Sequence, residues 1–93
     1  MKKAFYKRLA KATLESGADL QDFVTAYEEN TSYRNHEHAH ARVKMLLGNA
    51  VETLKVNAPK WTVGAITEED IFACAKACNC TSDYLLGLSD RMN

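Results

Sequence analysis

Apolar residues in this chain recur at spacings of three and four from one end to the other, and nowhere alternate in the twos of a half-buried β-strand. That periodicity, cut into pieces by capping residues and glycines, predicts an all-α fold. In the first piece Phe5, Leu9 and Ala12 form one stripe, Lys3, Lys7 and Lys11 take the opposite side, and Gly17 supplies a left-handed stop. Asp19 then caps a second helix carrying Leu20, Phe23, Val24 and Tyr27, which ends within Glu28-Glu29-Asn30-Thr31-Ser32.

The third piece is the longest. Val43, Leu46, Leu47, Ala50, Val51 and Leu54 share one helical phase across Gly48, although a glycine there costs about 1 kcal/mol relative to alanine. Asn49 with Glu52 three residues on could cap a new helix, but the unbroken stripe favours one helix through to Val56. Residues 57–65 read as a loop, with Pro59 disfavouring helix at Ala58 and Gly64 closing the far side. Thr67 and Asp70 form an N-terminal cap signature, and Glu68, Glu69 and Asp70 suit the positive end of a helix that carries Ile71, Cys74, Ala75 and Cys78. Thr81 caps a last short helix over 82–86, stopped by Gly87. The expectation is a compact five-helix domain occupying residues 1–93.

A chain of 93 residues buries only about two-thirds of its unfolded surface, so its apolar positions must serve one core. Its 46% hydrophobic and 26% charged residues suit a globule rather than a disordered tail. No apolar run approaches the roughly 18 residues of a membrane span, and the basic start is not followed by a signal-type apolar segment. The cytoplasm is the expected location, with no membrane partner. Cys74, Cys78 and Cys80 are an odd set without an export signal, which argues against a disulfide framework.

Net charge is zero, with twelve basic and twelve acidic residues, but the charges are unevenly placed. Lys2, Lys3, Lys7, Arg8 and Lys11 stand together with no acid through residue 14, followed by Glu15, Asp19, Asp22, Glu28 and Glu29 with no base through residue 30. Such a chain can present a basic face despite its neutrality, unless neighbouring helices simply neutralise each other.

The stretch from Ile66 to Asp90, and above all Thr81-Ser82-Asp83-Tyr84-Leu85-Leu86-Gly87, resembles the closing helices of the Cro/phage-repressor-type helix-turn-helix family. The family closes on a capped helix, a turn, a serine or threonine, a variable residue, and Asp-Tyr-Leu-Leu-Gly. Arg8-Leu9 through Gly17, then Asp19 to Val24, is similar more loosely to its first two helices. The resemblance implies a lambda-repressor-like helix-turn-helix variant with a lengthened third helix, in which Tyr84 and Leu85 pack the last helix onto the first. It places Cys74, Cys78 and Cys80 where the family has leucine or valine, as small buried hydrophobes. Thr31 to His38 departs from the family's recognition segment, and the long apolar helix after it is foreign to the pattern.

Within that frame a helix opening on Tyr33-Arg34-Asn35 has base-reading chemistry, since arginine forks guanine and asparagine matches adenine; His38 joins them. Lys3, Lys7, Lys11, Arg42 and Lys44 are the candidate phosphate contacts. His36 and His40 share a helical face at metal-ligand spacing, yet they have no carboxylate partner in the pattern and the cysteines lack a C-x2-C knuckle, so no metal is assigned. Trp61 is either a plug over the core or an exposed anchor. No nucleophile–base signature or Gly-rich phosphate loop is present, so no catalytic residue and no cofactor are expected and the chain does not read as an enzyme. The functional expectation is a sequence-specific regulator of a phage or mobile element, binding double-stranded DNA as a homodimer. The alternative is an accessory protein on the same scaffold that binds a protein partner, using outward residues of the third helix such as Met45 and Val56.

Overall fold

The computed structural model describes residues 2–33, 35–58, 60–61 and 64–93. Among these it has five helices and no strand: α1 (Lys2–Ser16), α2 (Leu20–Asn30), α3 (His36–Val56), α4 (Glu68–Cys78) and α5 (Ser82–Leu86). Most boundaries have a local cause. Asp19 and Asp22 close a capping box on α2, and Thr67 and Asp70 close one on α4. The Asn35 side chain accepts from the Glu37 and His38 N–H groups at the start of α3, and Thr81 accepts from Tyr84 N–H at the start of α5. Asn57 and Asn79 end α3 and α4 in the left-handed conformation, as Gly87 ends α5.

Packing runs in a ring. α1 lies against α3, α3 against α2, α2 against α4, and α5 fills the gap between α4 and α1. Phe5, Leu9, Phe23, Val24, Val43, Leu46 and Leu85 make the core, joined by the tyrosines Tyr6, Tyr27 and Tyr84. Tyr84 and Leu85 are buried as expected, and the Arg8 guanidinium lies 4.6 Å from the Tyr84 ring centroid. Cys74 and Cys78 are buried and Cys80 is half-buried, all as free thiols. Burial raises all three above the ordinary thiol value, Cys80 to about 11, so none is poised as a thiolate. No helix is long and apolar enough to cross a membrane, among the described residues.

The third helix is unbroken at Gly48 but faces the core differently from its apolar stripe. Its buried side is Ala39, Val43, Leu46, Asn49, Ala50 and Thr53, while Val51 and Leu54 are 48% and 52% exposed. At 100° per residue this turns the helix by roughly 60° from the expected phase. The reason lies in Asn49, which starts no new helix. Its Oδ1 accepts from the N–H groups of Lys60 and Trp61 at 2.9 and 2.7 Å, and its Nδ2 donates to Trp61 O and Tyr6 Oη. One buried amide thus ties α3 to α1 and to the following loop. The Trp61 ring then seats on Gly48, where any Cβ would overlap it. At 42% exposure Trp61 is a half-covered plug, neither sealed in the core nor projecting freely.

Candidate functional site

Two of the four residues expected to read bases have structural work. Tyr33 is half-buried with its ring edge-on to Tyr27, 5.4 Å between centroids. Arg34 lies outside the described residues. The acceptor oxygen of Asn35 is spent on capping α3, at 2.8 and 3.2 Å from its two donors. His38 is exposed. Two acids stand near them: Glu28 Oε1 lies 2.8 Å from His36 Nδ1, and Glu37 is exposed next to His38 in the chain. The His36 and His40 rings are 6.2 Å apart, and among the described residues no three His, Cys, Asp or Glu side chains converge as metal ligands would.

Arg42 requires a correction: its guanidinium is engaged within the fold rather than turned to solvent for a phosphate. Nε and Nη2 fork the Asp70 carboxylate at 3.1 and 2.6 Å, and Nη2 also donates to Ala65 O. Asp70 is fully buried and takes two more hydrogen bonds, from Tyr27 Oη and from Thr67 N–H. Burial alone would raise this carboxyl. The donors Arg42, Thr67 and Tyr27, with the Arg42 charge, outweigh burial and hold it below the ordinary carboxylate value. The same burial pushes the Tyr27 phenol far up, so it stays a neutral donor. Sequence reasoning saw Asp70 as a helix cap and missed its second role. The only local sign was its place in an otherwise apolar helix face.

Lys3, Lys7, Lys11 and Lys44 are all exposed. Lys7 and Lys11 gather with Lys55 at the C-terminal end of α3, around a groove of about 490 Å³ lined also by Leu14, Thr53, Leu54 and Asn57. Asn35 and His38 sit at the other end of that helix. From His38 to Thr53 the axis advances by roughly 22 Å, so His38 lies far from Lys7 and Lys11, while Lys44 is only six residues along α3 from it.

The groove itself was not foreseen. Leu14, on the lysine side of α1, is 76% exposed and faces Leu54 across it. The lining sets two exposed leucines beside three lysines, whose aliphatic stems can add to the apolar surface. Chemically it can accept an apolar side chain flanked by carboxylates. A second concavity of about 450 Å³, between α2, α4 and α5, is lined by Ile71, Phe72 and Leu86 beside Glu68 and Glu69. Glu69 is already engaged, accepting from the Ser32 N–H and hydroxyl at 2.6 and 3.0 Å. In comparisons with known proteins, no family model, no curated protein and no solved structure matches this chain.

Proposed function

We propose that this protein is a protein-binding module, an accessory factor that acts by occupying a partner rather than by chemistry. The observation that carries this reading is the groove between α1 and the end of α3, which the exposed Leu14 and Leu54 line together with Lys7, Lys11 and Lys55. Large apolar side chains gathered in a concavity and ringed by charge are a usual mark of a protein-docking surface. Val56, raised above as a partner residue, is 65% exposed, whereas Met45 is half-buried. A photo-crosslinking residue at Leu14 should capture a second protein chain in the cell, and one at the exposed Gln21 on α2 should not. Equal labelling at both positions, or none at Leu14, would sink the reading.

The second reading is a DNA-binding regulator of the phage-repressor type, acting as a homodimer on an operator. It is favoured by the exposed lysines Lys3, Lys7 and Lys11 of α1, with Lys44 and Lys55 exposed on α3. It ranks second because Asn35 and Arg42 are engaged elsewhere and Lys7 and Lys11 gather at the end of α3 away from His38. Binding to a mixed-sequence duplex, read by fluorescence anisotropy, should be salt-sensitive between about 50 and about 200 mM if lysines meet phosphates. Absence of binding at the lower salt would remove its phosphate-binding face.

A further inference from the structure

Folding brings to the histidine pair at the start of α3 the carboxylate that its local sequence lacks. Glu28 belongs to α2, and its Oε1 lies 2.8 Å from His36 Nδ1. With Nδ1–H donating to that carboxylate, the tautomer is fixed and the lone pair is left on Nε2, the arrangement that orients histidine ligands in metal sites. His40 stands about one turn further along α3. Its ring centroid is 6.2 Å from that of His36, with the planes inclined at 35°. Among the described residues, no hydrogen bond occupies His36 Nε2 or the His40 ring. His36 is exposed and His40 half-buried, so an ion can arrive from solvent.

We infer that His36 and His40 bind a divalent transition-metal ion of the zinc or nickel class, with Glu28 orienting His36 for it. Imidazole nitrogen suits these ions rather than magnesium or calcium, which take oxygen ligands. Two rings on one tetrahedral ion have centroids roughly 5 Å apart, given metal–nitrogen bonds of about 2.1 Å. The pair must therefore close by about 1 Å, within reach of small χ rotations. The first turn of α3 is the positive end of its dipole and disfavours a cation, but Glu28 and Glu37 set two carboxylates near it. His38 falls on the opposite side of the helix and takes no part. With two ligands from the protein, solvent completes the coordination and the ion stays open to an added ligand. The thiols do not compete, since Cys74 and Cys78 are buried and burial raises Cys80 to about 11. The site lies at the opposite end of α3 from the Leu14–Leu54 groove, so the ion and a docked protein use different surfaces.

Proton NMR of the histidine rings during a Zn2+ titration tests this directly, because the chain has three histidines and one of them is an internal control. The signals of His36 and His40 should move together while those of His38 stay. Half the ligands of a closed structural site imply a dissociation constant of about 1–200 μM, which calorimetry reads. His36→Ala and His40→Ala should each weaken Zn2+ at least about tenfold, and His38→Ala should leave it unchanged. Glu28→Gln keeps the side chain's shape and an acceptor oxygen but removes its charge, and should weaken Zn2+ by about tenfold or more. Circular dichroism checks that each variant is folded. If the half-buried His40 does not tolerate alanine, the wild-type spectra and the exposed His36 still decide. Equal movement of all three histidines, or a loss in His38→Ala as large as in His36→Ala, would show a loose histidine-rich segment and overturn the inference. No binding up to about 1 mM Zn2+ would overturn it as well. Unchanged affinity in Glu28→Gln would remove Glu28 from the site and with it the orientation on which the site depends.

Discussion

Two buried polar nodes hold this small helical ring together, and they are built on different chemistry. At one, Asp70 on α4 gathers Arg42 from α3, Tyr27 from α2 and its own cap at Thr67. At the other, Asn49 on α3 gathers Tyr6 from α1 and the backbone of Lys60 and Trp61. The first is a charged pair with nearly all of its carboxylate out of water; the second is a neutral amide with both functional atoms satisfied. A buried ion pair offers modest net stability over an apolar substitute but is severe when half is removed. A satisfied amide costs less to lose and is indifferent to pH. The fold therefore joins α2, α3 and α4 with a contact intolerant of half-removal, and α1, α3 and the loop with a milder one.

The difference between the two nodes should be largest at Arg42. Arg42→Ala leaves a carboxylate buried without its counter-charge, and chemical denaturation should show a loss of about 3–5 kcal/mol. A loss under 1 kcal/mol would mean that Asp70 is well solvated and that the node is not what it looks like. Asn49→Ala should cost about 1–3 kcal/mol, since the Lys60 and Trp61 N–H groups lose their acceptor. Its distinctive mark is optical: emission of the single tryptophan should shift to the red as the loop lets the ring leave Gly48.

Gly48→Ala sharpens the second node further. Helix propensity alone predicts a gain approaching 1 kcal/mol. Overlap of the new methyl with the Trp61 ring should reverse that sign, with the same red shift in emission. A stabilised variant with unchanged emission would show that Trp61 does not rest there.

The gentlest test changes no residue. The folded Asp70 carboxyl titrates below its ordinary value, so its contribution is fully present above that value. It should be lost progressively as pH falls from that value through the lower folded one. Stability measured from neutral pH into acid should therefore drop in that window, and the drop attributable to this node should be absent in Asp70→Asn. The Asn49 node should contribute nothing to that slope, so Asn49→Ala should lie parallel to wild type throughout.

The C-terminal third was readable because its determinants act over three or four residues. Thr67 with Asp70, Thr81 with Tyr84 N–H, and Gly87 at a positive φ are all local events, and each appears in the fold where the pattern placed it. The middle of the chain was not, because its side chains are claimed by distant partners. Arg42 reaches a carboxylate 28 residues away, and Tyr6 reaches an amide 43 residues away. Nothing near Arg42 in the chain distinguishes a structural guanidinium from one offered to a phosphate. The candidate site suffered most for the same reason: Lys7 and Lys11 were legible as a basic row, but their meeting with Leu54 and Lys55 depends on how α1 lies across α3.

Taken by itself, the amino-acid sequence determined the all-α class, the five helices and their stops, since hydrophobic period and capping are short-range and strong. The tertiary structure alone decided which side of α3 is inside. That helix carries apolar residues around more than half its circumference, so its amphipathicity admits more than one rotation. Desolvation of Asn49 with all its hydrogen bonds made selected one of them, and in doing so left Leu54 facing Leu14 in the open.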